Sequence, residues 1–231
     1  MNVAEFDKFA AEYLATHSQN VRLSGEAPDY FARYKIDEIA RVWARRRLPP
    51  PRTVVDFGSG IGSSLPHLRR AFPEARITAL DVSAKSLAVA ESRFPGLAEH
   101  LLYDGGDLPL APGSVDLIFT SCVFHHIAPA EHIGILEKLN RALAADGRLV
   151  IFEHNPINPV TRYIVSTCPF DENAVLIPAP LLRARQLAAG FRSVCVAYTG
   201  FFPGPLKALR RAEPYLAWAP IGAQYYTLAR A

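Results

Sequence analysis

Five short apolar segments alternate with helical patterns between residues 52 and 154, and this alternation constrains the fold more than any other feature of the chain. Short strands joined by helices form a parallel sheet that helices cover on both faces. The pattern therefore predicts an α/β fold. The predicted strands are RTVVDFG (52–58), RITALD (76–81), HLLYDG (100–105), VDLIFTS (115–121) and RLVIFEH (148–154).

The rest of the chain departs from this rhythm. The segment LPPPR (48–52) separates the sheet region from an N-terminal part with helical patterns near 6–14 and 28–47. We expect helices to about 72, from Ser83 (as N-cap) to 94 and over 129–145, and a helical piece at 205–218, and we expect the strands at 191–200 and 224–230 to pair antiparallel. The predicted organisation is one domain: a helical cap (1–48), a ligand-binding core (49–154), a substrate insert (155–190) and C-terminal strands (191–231).

Composition excludes several classes of protein. The net charge of the 231 residues is only +3, and the basic residues form no stripe that could follow a phosphate backbone. The triplet Arg45–Arg47 closes a predicted helix, where cations suit the negative end of the dipole. The three cysteines lack metal-ligand spacing, so we expect neither disulfides nor a metal ion. No stretch approaches the roughly 20 apolar residues that cross a bilayer. We expect a cytoplasmic protein without nucleic-acid or membrane partners, and oligomeric state is not indicated.

A glycine-rich loop follows the first predicted strand. In VVDFGSGIG, Gly58, Gly60 and Gly62 stand where a strand turns into a helix, and the missing Cβ atoms let backbone approach a ligand. Asp81 ends the second strand 19 residues after Gly62. A carboxylate in that place can accept hydrogen bonds from both hydroxyls of a ribose. The two features together indicate a cofactor that contains adenosine.

Two cofactors fit this pattern. Gly58-x-Gly60-x-x-Ser63 is one small residue away from the fingerprint of dinucleotide-binding proteins, so NAD stays open. Asp56 instead favours a cofactor that carries an ammonium and a sulfonium, because its negative charge does not suit a neighbouring pyrophosphate. Asp104, after the third strand, could accept a hydrogen bond from an adenine amine.

The chain resembles the class I S-adenosylmethionine-dependent methyltransferases of the small-molecule type. The resemblance rests on the order and spacing of VVDFGSGIG, ALDVS, YDGGDLPLAPGSVDLIFTSCVFHHI and LNRALAADGRLVIFE, and covers roughly residues 50–155 and the C-terminal strands. It implies a Rossmann-like sheet of seven strands whose last strand is antiparallel. The long insert after the fifth strand, which we expect to be a loop at the binding edge, departs from the family pattern.

The resemblance also implies the roles of the cofactor-binding residues. Asp56 and the three glycines would hold the methionine end of S-adenosylmethionine, and Asp81, with Val82 beside it in ALDVS, would hold the ribose. Asp104 and the amide of Gly105 would read the adenine, and backbone near Ser121 would line the sulfonium.

Histidines at the ends of the fourth and fifth strands are the candidates for catalysis. A base with a pKa near working pH would assist an oxygen nucleophile, and histidine is its usual source. CVFHHIAP places His125 and His126 after the fourth strand, and the family pattern favours His126 as the pocket residue. His154, with Glu153, ends the fifth strand and is the second candidate. Each histidine could instead pack against or cap the next helix.

EHNPINP (153–159) resembles the Asn-Pro-type motif with which some methyltransferases hold a nucleobase amine. That motif belongs after the fourth strand, and here the segment follows the fifth, so we interpret it as a stop that redirects the chain. We expect the insert and the cap tyrosines (Tyr13, Tyr30 and Tyr34) to enclose a small acceptor, with O-methylation of a sugar, polyketide or similar metabolite favoured. The alternatives are an NAD(P)-dependent oxidoreductase, a non-catalytic S-adenosylmethionine-binding module and, last, a nucleic-acid methyltransferase.

Overall fold

The computed structural model describes residues 25–231, so the predicted helix near 6–14 and Tyr13 lie outside the described residues. The helices are α1 (Pro28–Arg46), α2 (Leu65–Ala71), α3 (Ala84–Arg93), α4 (His132–Ala142), α5 (Pro159–Ser166), α6 (Ala179–Ala188) and α7 (Glu213–Leu216). The strands are β1 (Thr53–Phe57), β2 (Arg76–Asp81), β3 (Glu99–Leu102), β4 (Val115–Ser121), β5 (Leu143–His154), β6 (Ser193–Thr199) and β7 (Gln224–Arg230). Short 3₁₀ segments lie at Phe124–His126, Pro169–Asp171 and Gly204–Ala212.

The strands form one sheet of seven in the order β3-β2-β1-β4-β5-β7-β6. Strands β1 to β5 are parallel, whereas β7 runs antiparallel to both β5 and β6. This topology confirms the predicted α/β fold, the seven strands and the antiparallel last strand. The order reverses between β1 and β4, and ligands of open α/β sheets bind in the crevice at such a point, beyond the carboxyl ends of the strands.

Successive strand residues face opposite layers of the core. Val54 packs in one cluster with Ile36, Ile39 and Trp43 of α1, together with α2 and α3. Val55 packs in the other cluster, with helices α4 and α6. Because both faces of the sheet are buried, the strands read as continuous apolar runs, which is why the sequence revealed them.

Local signals at the helix ends behave as predicted. The Ser83 side chain accepts a hydrogen bond from the Ser86 N–H at 3.0 Å and caps α3. Arg45 and Arg46 lie in the last turn of α1, and Arg47 ends that helix in the left-handed conformation with φ 51°. The basic triplet is therefore a helix terminus.

Two boundaries around β5 were predicted wrongly. The helix predicted over 129–145 covers only His132–Ala142, and β5 begins at Leu143 instead of 148. Leu143 pairs with Val115 of β4, and the pairing register shifts between Val115 and Leu117. Pairing with β4 at this bulge keeps residues 143–145 in a strand, although their intrinsic propensity favours a helix.

Other boundaries differ by less. The third strand ends at Leu102 because the chain turns away before Gly105, which has φ 91°. The sixth strand covers Ser193–Thr199 rather than 191–200, and the first covers Thr53–Phe57 rather than 52–58. The helical piece predicted at 205–218 divides into the 3₁₀ segment Gly204–Ala212 and the short helix α7.

The insert at 155–190 is not the long loop that we expected. It contains α5, a 3₁₀ segment and α6, and Leu182 of α6 lies in the same core cluster as Leu136 of α4 and Val194 of β6. Helix α6 therefore covers the sheet like the helices of the core. All three cysteines are free thiols. Among residues 25–231, no helix combines the length and the apolar character needed to cross a bilayer.

Candidate functional site

The glycine loop after β1 is tied to the end of β2 by backbone hydrogen bonds. The N–H groups of Gly58 and Ser59 donate to the Leu80 carbonyl at 2.7 and 3.2 Å, and the Gly60 N–H donates to the Asp81 carboxylate at 2.8 Å. The second oxygen of Asp81 accepts from the Ser83 N–H at 2.9 Å. Asp81 thus joins the glycine loop to the start of α3 at the carboxyl edge of the sheet.

The three loop glycines have different surroundings. A Cβ at Gly58 would lie 2.4 Å from a Val123 methyl carbon, and one at Gly62 would lie 2.9 Å from the Ala90 Cβ. A Cβ at Gly60 would meet no described atom within 4 Å, and the same holds at Gly105. Gly58 and Gly62 therefore allow close packing within the protein, whereas Gly60 and Gly105 border open space.

Asp56 occupies an unusual electrostatic position at the end of β1. Its side chain is buried, and its Oδ2 atom has no hydrogen-bond partner among the described residues. Burial, assisted by the nearby Asp81, raises the pKa of Asp56 to about 8, and Lys35 opposes this shift. A buried carboxylate of this kind is stabilised by a cation, so the site suits a positively charged ligand.

Lys35 of α1 reaches the same region from the opposite side. The buried ammonium donates to the Ser121 Oγ atom at 2.6 Å and lies 3.6 Å from the Cys122 sulfur. The neighbouring Tyr34 donates from its hydroxyl to the side-chain oxygen of Gln224, at the start of β7. Helix α1 therefore contacts the end of β4 through Lys35 and the start of β7 through Tyr34.

Cys122 ends β4 in the left-handed conformation, with φ 58°. Burial disfavours its thiolate, but the charges of His154 and Lys35 outweigh burial and lower the pKa of Cys122 to about 6. Burial likewise opposes protonation of His154, and Cys122 outweighs it, so the pKa of His154 is raised. Cys122 and His154 thus favour an ion pair of thiolate and imidazolium.

A histidine–carboxylate cluster lies beside this pair and consists of His125, His126, Glu153 and Asp171. Glu153 is fully buried and accepts from the His125 Nδ1 atom at 2.5 Å and from the Phe124 N–H at 2.8 Å. The Nε2 atoms of His125 and His126 lie 3.3 and 3.4 Å from one Asp171 oxygen. Residues from β5, the turn after β4 and the insert therefore meet at one place.

The charges of this cluster stabilise one another. Burial opposes ionisation of His125 and Glu153, but their mutual attraction outweighs it: the pKa of His125 is raised well above its usual value and that of Glu153 is lowered. Burial also opposes ionisation of Asp171, yet the imidazoles of His125 and His126 hold its pKa well below the usual range. A buried imidazolium between two carboxylates follows from these directions.

The other predicted cofactor residues follow β2 and β3. Val82 is partly buried and packs on the core behind Asp81. Asp104 is exposed two residues beyond β3, and its carboxylate accepts from the Gly106 N–H at 2.8 Å. The carbonyl of Gly105 accepts from the Tyr103 hydroxyl at 3.2 Å.

The asparagines of EHNPINP hold the backbone together. Asn155 is buried, and its side-chain amide donates to the carbonyls of Pro220 and Gly222 at 3.1 and 2.8 Å. Asn158 caps α5 by accepting from the Thr161 N–H at 3.0 Å. The side-chain oxygen of Asn155 accepts from the Ile157 N–H at 3.1 Å, so both asparagine oxygens that could accept from a nucleobase amine already accept from backbone. This supports the interpretation of the segment as a structural stop.

The sequence profile of a family described as "Methyltransferase domain" matches residues 55–151, which run from the end of β1 to β5. These residues carry the glycine loop, Asp81 and the β4 end described above. Residues 55–151 therefore match a methyltransferase domain. This match, with the methyltransferase relatives below, confirms the predicted resemblance to class I S-adenosylmethionine-dependent methyltransferases and the predicted cofactor.

Individual relatives agree with this assignment. A trans-aconitate 2-methyltransferase of Rhodopseudomonas palustris (strain BisA53) is 30% identical over 137 residues, covering 59% of this chain and 50% of the relative. A demethylmenaquinone methyltransferase of Thermotoga maritima is 34% identical over 108 residues, covering 47% of this chain and 46% of the relative. The chain thus spans about half the length of these curated relatives.

A solved structure extends the fold match to the whole chain. An S-adenosylmethionine-dependent methyltransferase of Thermotoga maritima, described as a possible histamine N-methyltransferase, superposes with a TM-score of 0.67. The match covers 99% of this chain and 98% of the other at 18% identity. At this identity the likeness concerns the fold alone.

The sequence analysis did not identify several polar groups at the carboxyl edge of the sheet. Lys35 and Gln224 were not named, and Glu153 was named without its connection to His125. One usable signal was Lys35 itself, a cation one residue before Ile36 in the apolar stripe of α1. The pairing of His125 with Glu153 had no local signal, because it depends on two adjacent strands ending side by side.

Proposed function

We propose that this protein transfers a methyl group from S-adenosylmethionine to a small-molecule acceptor. The observation that carries the proposal is the buried, unsatisfied Asp56 oxygen beside the open space at Gly60. A cationic ligand that approaches the Gly60 backbone would neutralise this carboxylate. When bound, S-adenosylmethionine supplies the methyl group on a positively charged sulfur.

The cofactor-binding roles follow the edge of the sheet. Asp56 with Gly58, Gly60 and Gly62 would receive the methionine end, and Asp81 with Val82 would receive the ribose. Asp104 and the Gly105 amide would contact the adenine, where a side chain at Gly105 would find open space. Backbone near Ser121 would border the sulfonium. These assignments are supported by the convergence of β1, β2, β3 and β4 at one edge.

Lys35 joins this set as a residue that binds the cofactor. A buried ammonium requires an anionic partner, and the α-carboxylate of the cofactor is the anion that would lie near Asp56 and Ser121. The hydrogen bond from Lys35 to Ser121 places the ammonium at that end of the site. Helix α1 would then help to close the cofactor pocket.

The acceptor would bind over the ends of β4 and β5, where His126 and His154 are the proposed catalytic residues. The side chain of His126 keeps 13% of its surface exposed, whereas His125 keeps 1%. His126 can therefore meet the nucleophilic atom of the acceptor, while His125 holds Glu153 and Asp171 in place. His154 faces Cys122 and would adjust the charge next to the methyl group.

We favour an oxygen nucleophile on a small metabolite such as a sugar or polyketide. The histidine–carboxylate cluster suits a nucleophile that must lose a proton, and the inserted helix α5 and 3₁₀ segment limit the space above it. The name of one relative, a trans-aconitate 2-methyltransferase, agrees with a compact acceptor.

Calorimetric titration with S-adenosylhomocysteine, run beside NADH, tests the cofactor. Saturable binding of the first compound alone is expected, and binding of NADH alone would overturn the proposal. An acceptor panel with labelled S-adenosylmethionine then tests transfer. Binding without turnover across the panel would indicate the non-catalytic module.

The variant His126→Ala tests the acceptor side. It should lower the maximal rate with the identified acceptor far more than it lowers affinity for S-adenosylhomocysteine. An unchanged rate would assign His126 a structural role. The matched control is His100→Ala, because His100 pairs with Glu91 far from the proposed site along the sheet, beyond β2.

A further inference from the structure

His125, His126 and Asp171 present three metal-ligand atoms to one point. These atoms, two imidazole nitrogens and a carboxylate oxygen, all lie within 4.8 Å of one another. We propose that the three side chains bind a divalent transition metal ion, with Zn²⁺ as the expected ion. The cysteine spacing had led us to expect no metal, and this set differs because it joins the turn after β4 to the distant insert.

The distances in the cluster match coordination better than hydrogen bonding. Tetrahedral Zn²⁺ with bonds of about 2.0–2.2 Å separates neighbouring ligand atoms by roughly 3.3 Å. Asp171 lies 3.3 Å from the His125 Nε2 atom and 3.4 Å from the His126 Nε2 atom. Charge-assisted hydrogen bonds measure about 2.7–2.9 Å. The two Asp171 separations therefore leave room for an ion between the groups.

Other histidine–carboxylate pairs of the chain are shorter. His67 approaches Asp29 at 2.9 Å, and His100 approaches Glu91 at 2.9 Å. The buried Nε2 atom of His125 has no hydrogen-bond partner of proper geometry among residues 25–231. A buried nitrogen that is left in this way is explained if its lone pair serves a metal ion.

Glu153 prepares His125 for this role. It accepts a hydrogen bond from the His125 Nδ1 atom at 2.5 Å, which keeps a proton on that nitrogen, so a metal ion would displace the Nε2 proton and bind there. Glu153 is itself held by the Phe124 N–H at 2.8 Å. Metal-binding histidines commonly donate their second ring N–H to a carboxylate in this manner.

Three protein ligands leave one position of a tetrahedral ion open. The side chains of His126 and Asp171 are 13% and 12% exposed, so the open position faces the accessible side of the cluster. The catalytic role of the ion rests on the proposed function. An acceptor oxygen bound at the open position would lose its proton to solvent more easily. That oxygen would form the bond to the methyl carbon as the carbon–sulfur bond breaks. His126 would then act on the acceptor through the ion.

Titration of the chelator-treated full chain with Zn²⁺ tests the inference without cofactor or acceptor. We expect one ion per chain, and a visible spectrum of four-coordinate Co²⁺ when cobalt replaces zinc. Asp171→Asn and His126→Gln should each lower the affinity at least tenfold, and Glu153→Gln, which alters only the support of His125, by about 10–100-fold. His100→Gln, in a pair without a third ligand, is the control and should bind as the parent does.

Absence of binding by the parent protein would overturn the inference, and so would equal binding by the double variant Asp171→Asn, His126→Gln. Thermal unfolding of each variant shows whether it is folded before titration. The S-adenosylhomocysteine titration is independent of Zn²⁺, so failure of the metal site and failure of the proposed function are distinguishable.

Discussion

The carboxyl edge of the sheet has two halves, the proposed cofactor side at the ends of β1 to β3 and the proposed acceptor side at the ends of β4 and β5. These halves are assembled in different ways. On the cofactor side, Gly60 contacts Asp81 across 21 positions, and Asp81 contacts Ser83 across two. On the proposed acceptor side, Tyr34 contacts Gln224 across 190 positions, and His125 contacts Glu153 across 28. The cofactor side is therefore a local feature of the sequence, whereas the acceptor side exists only once distant segments have packed.

The halves also differ in how they satisfy charge. Asp81 is held by backbone N–H groups, which any sequence supplies at a strand end. Glu153 and His125 instead satisfy each other in a fully buried pair. Loss of one member of such a pair leaves a buried charge without a partner, so the acceptor side should bear more on stability than the cofactor side.

The largest expected effect tests this difference in stability. Glu153→Ala should lower the free energy of unfolding by about 3–5 kcal/mol, because it leaves the His125 imidazolium buried beside a cavity. Urea denaturation measures the change. Glu91→Ala is the control, since Glu91 is exposed in its pair with His100, and it should cost about 0–1 kcal/mol. Equal costs for the two variants would remove the contrast between the halves.

Gly58 tests whether the two halves are packed together. Its Cβ would lie 2.4 Å from a methyl carbon of Val123, which follows β4, whereas a Cβ at Gly60 would meet open space. Both residues have positive φ, so alanine strains the backbone at each. Gly58→Ala should therefore cost about 1–3 kcal/mol more in stability than Gly60→Ala, through overpacking. Similar unfolding midpoints would show that Val123 moves aside freely.

Asp81 tests the ribose assignment on the cofactor side. Asp81→Ala should weaken S-adenosylhomocysteine binding by about 1–3 kcal/mol, the scale for hydrogen bonds to a charged group. Asp104→Ala should weaken S-adenosylhomocysteine binding less than Asp81→Ala does, because the Asp104 carboxylate is exposed to solvent. An unchanged titration curve for Asp81→Ala would move the ribose elsewhere along the edge.

The smallest effect is a pH dependence that arises at Asp56. Burial raises its pKa to about 8, so the carboxyl of the cofactor-free protein is protonated at neutral pH. A cationic ligand favours the ionised form, and binding then releases a proton below pH 8. Affinity for S-adenosylhomocysteine, through its ammonium, should fall by about fivefold from pH 8 to pH 7.

Asp56→Asn is the control for this titration. An amide carries no charge at either pH, so the variant should bind more weakly and with little pH dependence over the same range. If the parent protein binds equally at pH 7 and pH 8, the cation of the cofactor does not lie against Asp56.

The sequence predicted the strands and the glycine loop of the proposed cofactor side because their signals are contiguous. The apolar runs marked β1 to β5, and Gly58, Gly60 and Asp81 stand at fixed positions relative to the strand ends. Prediction failed where tertiary contacts override local preference. Residues 143–145 join β5 through pairing with β4, and the expected loop at 155–190 becomes helical because α6 covers β6 and β7.

The sequence by itself determined the α/β class, the methyltransferase family and the residues of the glycine loop, since strand periodicity and turn chemistry act between near neighbours. Only the tertiary structure decided that His125 is buried against Glu153, that His126 stays accessible, and that Asp171 and Lys35 reach the same edge. The physical reason is that these contacts depend on the register of adjacent strands and on the packing of α1 and the insert. The contacting residues lie up to 190 positions apart, as for Tyr34 and Gln224, so no local sequence pattern predicts the contacts.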